Sequence, residues 1–445
     1  MKSSPQTNPP PMSEASINPT PAAGPRDAAT PVVSAFYDRF PYPGDPIQDG
    51  PPPGYNWRWC VDSALAAARG CLSAAPTATG PAATAPAAAA PAPAPRRWRI
   101  LDAGCGTGVS TDYLCHLNPG SQVLAVDISG GALELARERT RRSGAAAQVE
   151  ELRIEQRSLL DLEPEGRFDY INSVGVLHHL DQPEAGLRAL AAQLAPQGVL
   201  HLFLYADAGR WEIHRSQRAL NLLQVGTGEL GLKLGRQLFN ELPAANRLRR
   251  HHEQRWALDT RADSNFADMY LHPQETSYDL GRLQQFVASA GLHFAGFSNP
   301  EVWDPARLLG GELLDRARSL PKCDQWLLVE ALDPEISHFE FFLTADATEP
   351  IDWSDDQRLL NCAMERNRCL WGWPSESLLG PDLLPLKLEP GDLPLAEAAE
   401  GAPGLSLGQL ELAMGATERC ERARRLIAQR VLLPAVIPVV PAVAS

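Results

Sequence analysis

Leu101-Asp102-Ala103-Gly104-Cys105-Gly106-Thr107-Gly108, directly after the apolar residues Trp98 and Ile100, is the stretch that decides the fold. An apolar run of strand length ending in alternating glycines reads as a strand-to-helix turn. Glycine takes left-handed backbone conformations at little cost, and its missing side chain lets backbone amides approach a ligand. Nineteen positions after Gly108 a second apolar run, QVLAVDI, reaches Asp127, whose carboxylate can accept hydrogen bonds from both hydroxyls of a ribose. Loop and carboxylate together define a nucleoside site. A dinucleotide fingerprint needs G-x-G-x-x-G, and the register from Gly104 ends on Val109 while that from Gly106 ends on Thr111. The spacing therefore disfavours a nicotinamide-dependent oxidoreductase.

Outward from this loop, strand and helix patterns alternate. WRILDAG, QVLAVDI, LRIEQRS, RFDYINSVG and GVLHLFLYA read as strands, with helices such as ALELARERTRR and Pro183 to Leu194 between them. Such alternation implies a mostly parallel sheet wrapped by helices, a doubly wound α/β fold. GLHFAGFS and QWLLVEAL suit the last two of seven strands, and a helical insertion at about 209–280 is expected to cap the sheet. The core then covers 96–332. Residues 1–30, poor in large apolar side chains, are expected to be disordered. An aromatic, helical lid element follows at 31–72, and an Ala/Pro-rich tether of extended polyproline character at 73–95.

Composition narrows the class of protein. The 445 residues carry a formal net charge of −14, which makes nucleic acid a poor partner unless basic residues cluster. The clusters present, Arg137 to Arg142 and Arg247 to His252, lie in helical patterns and are expected to be solvated faces. The eight cysteines are scattered, with no metal-binding spacing, so no metal is expected; the lack of a signal-peptide core or a long apolar run points to the cytoplasm. From Asp333 onward 18 Asp or Glu stand against 9 Lys or Arg. This C-terminal module of helices and a strand, HFEFFL, has a winged-helix flavour but the wrong charge for DNA, and reads as a regulatory, protein-contact or self-association unit.

Asp102, Gly104, Gly106 and Gly108 resemble the first motif of the class I S-adenosylmethionine-dependent methyltransferases, an acidic residue followed by alternating glycines. VLAVDIS, RSLLDLEPEGRFDYI and NSVGVLHHL follow in the order of that family. The resemblance implies a Rossmann-like sheet and S-adenosylmethionine as cofactor, with the glycine loop at its methionine part. It further implies Asp127 and Ile128 at the ribose, Ser158 and Leu159 near the adenine, and Ser173 at the end of the next strand. Many relatives carry an acidic residue where Ser158 stands, and the nearby Asp161 reads rather as a turn cap. A narrower resemblance, to the methyltransferase domain of some tetratricopeptide-repeat bacterial proteins, rests on FYDRFPYP, LYADAGR and ADMYLHPQETSYDLGRL, although no such repeat is present.

For catalysis the candidates are His178 and His179, which could place an imidazole near the transferred methyl as a general base or could merely orient the loop. Asp268, His272 and Glu275 match polar positions of a cap in the narrower relatives. They are either acceptor-recognition residues or a capped turn and surface pair, with Asp268 and His272 on one face if the segment is helical. Tyr37, Phe40 and Tyr42 are lid aromatics or packing residues. The expected function is methyl transfer to an acceptor, a small molecule or a protein; the alternative is a cofactor-binding regulatory or scaffold protein without turnover.

Overall fold

The computed structural model describes residues 30–72, 96–162, 167–347, 351 and 353–435. The tether at 73–95, the N-terminal tail before Thr30 and part of the RSLLDLEPEGRFDYI segment lie outside the described residues. Two helices precede the sheet, α1 (Thr30–Arg39) and α2 (Val61–Arg69). The core then runs β1 (Arg99–Ala103), α3 (Val109–Leu117), β2 (Gln122–Asp127), α4 (Gly130–Ser143), β3 (Glu151–Gln156), β4 (Phe168–Val174), α5 (Pro183–Gln193) and β5 (Leu194–Tyr205). Four cap helices follow: α6 (Trp211–Leu222), α7 (Glu229–Glu241), α8 (Arg247–His251) and α9 (Asp263–Leu271). The chain returns through α10 (Leu280–Ala288), β6 (His293–Phe297), α11 (Gly311–Arg318), α12 (Lys322–Leu332) and β7 (His338–Thr344).

The seven strands lie in the order β3-β2-β1-β4-β5-β7-β6, parallel except for β7, which runs antiparallel to both β5 and β6. Strand order reverses between β1 and β4, and in open α/β sheets the crevice at such a switch point is where ligands bind. α4 shows how local chemistry sets an element. Ser129 caps its start by accepting from the Ala132 amide, Ala132, Leu133, Ala136 and Thr140 face the core at helical spacing, and Gly144 ends it at a φ of 78°.

QWLLVEAL, expected as a strand, is helix α12, and HFEFFL, expected in the C-terminal module, is β7, inserted between β5 and the edge strand β6. Pro321 at the N-cap and a length of 11 residues favour the helix, which keeps only Val329 fully buried. In β7 Phe339, Phe341, Phe342 and Leu343 are buried, as a strand covered on both faces requires. An apolar run by itself does not separate these two cases. Arg139 also departs from expectation. It is buried and donates to the carbonyls of Thr107, Asp45 and Pro46, tying the segment after α1 to the glycine loop, while Arg141 and Arg142 form exposed pairs.

The C-terminal unit comprises α13 (Asp356–Leu360), β8 (Ala363–Arg366), the hairpin of β9 (Ser377–Leu379) and β10 (Pro385–Lys387), α14 (Asp392–Gly401), α15 (Ala416–Ala428) and β11 (Leu432–Ala435). β8 pairs with β11 around a separate apolar core containing Leu395, Leu407 and Leu426. Among the described residues no helix is long and apolar enough to cross a membrane.

Candidate functional site

The glycine loop leaves the end of β1 at φ values of 82° for Gly104 and 51° for Gly106, a region that disfavours any side chain. Space is as restrictive: a Cβ on Gly104 would stand 2.3 Å from a Val176 methyl, and one on Gly106 would stand 2.3 Å from the Tyr42 carbonyl oxygen. The sequence suggested that loop amides meet a ligand, but each already donates within the protein. Gly104 and Cys105 donate to Val126, Gly106 to Asp127, Thr107 to Tyr42 and Gly108 to Cys105. What the loop presents is therefore bare backbone surface.

Two carboxylates support it differently. Asp127 ends β2 in the cleft and accepts the Gly106 amide at 2.8 Å on one oxygen and the Ser129 amide at 2.9 Å on the other, so each oxygen keeps a lone pair. Burial pushes its carboxyl above the usual range, opposed by the backbone amides of Ser129, Gly106 and Ile128. Asp102, expected to touch the cofactor, is buried under the loop and accepts from Ser110, Thr111 and Asn172, joining β1, α3 and β4. It is a strut beneath the site and does not line the cleft. Ser173 is likewise buried on β4 outside the lining, whereas Ile128, Ser158 and Leu159 line it. Ser158, not Asp161, caps the short turn there, accepting from the Leu160 amide.

The cleft, about 1150 Å³ including its open mouth, is comparable with the upper end of the roughly 300–1,000 Å³ seen for small-molecule pockets. It runs from Asp127 past Gly175 to His179, and Val33, Tyr37 and Tyr42 of the N-terminal element form its other wall. Tyr37 and Tyr42 are thus cleft residues, whereas Phe40 packs in the apolar core that joins α1 to the cap. α1 is pinned to the turn after β2: Ser34 donates to the Ile128 carbonyl, and Asp38 accepts from the Ser129 hydroxyl and the Gly131 amide. Thr107 donates to the carbonyls of Tyr42 and Pro43.

At the far end, residues distant in sequence converge. Tyr37 donates to Asp268 at 2.8 Å, and the rings of His179 and His272 lie 3.8 Å apart. Asp268 sits in the last turn of α9 and His272 at its C-cap. The two rings of the HHL pair stand edge-on to each other, centres 4.3 Å apart, but differ in their partners. His178 is fully buried against Tyr205, has no hydrogen-bond partner on either nitrogen, and is held well below the usual imidazole range by burial and then by His179 and Arg210. It is a packing residue, so only His179 remains as a candidate base. His179 Nδ1 meets the Gln274 carbonyl at 2.8 Å, which puts the proton on Nδ1 and leaves the Nε2 lone pair free. His272 has the opposite tautomer, because its Nδ1 accepts the Gln274 amide and its proton lies on Nε2. By residue type His179, Asp268 and His272 could hold a metal ion. A protonated Nε2 cannot ligate, and these hydrogen bonds make His272 a donor instead.

Glu275 is not at the acceptor end in the chemical sense. Its side chain is buried and held by Arg210 at 2.8 to 3.0 Å, with His214 and Gln217 beside it. Burial raises its pKa, but Arg210 and His214 lower it to about 2. Arg210 also stands 3.4 Å from the centre of the Tyr205 ring. Sequence reading quoted LYADAGR but drew no role for Tyr205 or Arg210. Nothing local signals a partner 65 residues away.

A family model described as a methyltransferase domain matches residues 101–200. An uncharacterized protein of a Synechococcus strain is 46% identical over 413 residues, 92% of this chain and 94% of that one. The ubiquinone biosynthesis O-methyltransferase of Xanthomonas axonopodis pv. citri is 33% identical over 108 residues, 24% of this chain and 43% of that one. Among solved structures, PKMT2 from Rickettsia typhi shares the fold at a TM-score of 0.55, with 17% identity over 86% of this chain and 77% of that chain. Sheet order, glycine loop and the matched family model together define the class: the chain carries a class I S-adenosylmethionine-dependent methyltransferase domain, and over its length it belongs to one family with the Synechococcus protein. Within that class its similarity to the Synechococcus protein runs through the cap and the C-terminal unit as well.

Proposed function

We propose that the chain transfers the methyl group of S-adenosylmethionine to a protic nitrogen or oxygen of a small-molecule or protein acceptor held between α1 and the cap. The observation that carries this reading is a single cleft with a ribose-ready carboxylate, Asp127, at one end and a free imidazole lone pair, His179 Nε2, at the other. The residues present fit the cofactor. Asp127 keeps one lone pair per oxygen for two vicinal hydroxyls, and Gly175, at a φ of 74° in the lining, has open space where a Cβ would stand. Ser158 and Leu159 would lie along the adenine, and Gly104 and Gly106 along the methionine part.

Bound there, the cofactor supplies an electrophilic methyl on a sulfonium, which an acceptor heteroatom takes by in-line displacement while the S–C electron pair stays on sulfur. The protein's tasks are to orient and to take a proton. Tyr37 and Tyr42 exclude water from the middle of the cleft. His179 Nε2 accepts the proton that the heteroatom loses, and the Gln274 carbonyl holds the imidazole in the required tautomer. Asp268, with Tyr37 donating to it, stabilises the resulting imidazolium. His272 Nε2–H, buried and without a hydrogen-bond partner, lies behind His179 and outside the cleft lining, so it supports the cluster and does not meet the acceptor.

Calorimetric titration tests the cofactor end. Asp127→Ala is expected to weaken S-adenosylmethionine binding by about 10- to 150-fold, the equivalent of about 1.5–3 kcal/mol for hydrogen bonds to a charged group. An unchanged affinity would remove Asp127 from the ribose.

A further inference from the structure

Methyl transfer makes no use of the outer face of the cap. Residues 211–258 hold eight Lys or Arg against four Asp or Glu, with Asp263 and Glu335 pairing to this set from outside the span, on a chain of net charge −14. Arg236, Arg247, Arg249 and Arg255 pair with Asp263, Glu212, Glu253 and Glu335. Arg215, Arg218, Lys233 and Arg250 are exposed and carry no ion pair among the described residues.

Apolar side chains stand among these charges. On α6 Trp211, Arg215, Arg218 and Leu222 follow at spacings of four, three and four and so share one face, while Ile213, Ser216 and Leu220 bury the other. Trp211 is 45% exposed, Leu222 74%, Leu223 63% and Leu230, across the turn to α7, 63%. The turn is rigid. Gln224 takes a φ of 53°, the Val225 amide donates to Leu220, and Val225 is buried in the cap core, so Leu222 and Leu223 are held outward. The guanidinium groups of Arg215 and Arg247 stand 5.4 and 4.7 Å from the Trp211 ring.

We propose that this face docks the protein on an anionic lipid bilayer. Leu222, Leu223, Leu230 and Trp211 would enter the boundary between headgroups and acyl chains, and Arg215, Arg218 and Lys233 would meet lipid phosphates. Protein interfaces are enriched in Trp and Arg but depleted in Lys, and their apolar residues form a closed core. Here exposed Trp211 and Leu222 flank the unpaired Arg215 and Arg218 on one face of α6, with exposed Leu230 and Lys233 on α7 beyond the turn, which suits a surface that is apolar below and anionic above.

Flotation of the full chain with vesicles tests this, since it needs no cofactor or acceptor. The protein is expected to float with phosphatidylcholine vesicles containing phosphatidylglycerol, not with phosphatidylcholine alone, and less so as salt rises. Arg215→Gln with Arg218→Gln should weaken partitioning by about 25-fold, about fivefold per charge. Leu222→Ser with Leu223→Ser should abolish flotation, with the unfolding midpoint unchanged in both double variants. Failure of the wild type to float, or equal flotation with both vesicles, would overturn the proposal. So would a dimer in solution that the Leu222→Ser/Leu223→Ser variant dissolves, which would assign the face to a second copy.

Discussion

His179→Asn is expected to lower methyl transfer by about 10²- to 10⁴-fold while leaving S-adenosylmethionine affinity unchanged. The asparagine amide can still donate toward the Gln274 carbonyl, now met by Nδ1 at 2.8 Å, so the loop after β4 keeps its support. It has no basic atom to replace Nε2. The readout is the incorporation of labelled methyl from S-adenosylmethionine into cell-extract fractions at saturating cofactor, wild type beside variant. His178→Asn serves as the comparison: it touches no cleft and is expected to act through stability, because it puts an amide where an unpartnered imidazole is packed on Tyr205. A His179→Asn protein with the wild-type rate would leave in-line positioning as the whole of catalysis and remove the base.

Arg210→Met is expected to destabilise the protein by about 3–5 kcal/mol, because it strands Glu275 in a buried site with only His214 and Gln217 to meet its charge. Arg210→Met combined with Glu275→Leu should recover most of that loss, since neither charge is then buried alone. Urea unfolding of Arg210→Met, Glu275→Leu and the double variant measures the cycle, and additive losses would show that the two side chains do not act together. The same pair sets a pH response. Glu275 titrates at about 2 in the folded chain, against about 4.3 for an unperturbed glutamate, so protonating it favours unfolding. Its stabilisation, about 3 kcal/mol, is full above about pH 4.5 and is lost as pH falls toward 2. The double variant lacks that slope.

The glycine loop and Asp127 were legible because their chemistry is local. A strand, a turn that admits only glycine and a carboxylate one strand later are fixed by spacing along the chain. Seven strands could be counted for the same reason, yet QWLLVEAL and HFEFFL were exchanged, because short apolar runs have no periodicity to separate a strand from a helix. Asp102 belongs to the motif and was read as a contact. Its carboxylate lies on the inner side of the loop with Ser110, Thr111 and Asn172, and nothing in the spacing shows which side of a turn an acid occupies. Asp268 and His272 were singled out by the narrower family resemblance, but their partners Tyr37 and His179 come from α1 and the turn after β4, a convergence that only the fold creates. Glu275 looked equivalent to them until Arg210 supplied its counter-charge.

The attachment of α1 carries a thermodynamic corollary. Thr30, Val33 and Tyr37 wall the cleft, yet apart from its ties to the turn after β2, α1 is held mainly by the cap. Whatever occupies the cleft therefore contacts two separate parts of the chain and draws them together. Occupancy and the seating of α1 are linked functions, each raising the other by the same factor whichever comes first. α1 thus behaves less as a cover laid over a finished site than as a ligand of the core in its own right, tethered and therefore always at high effective concentration.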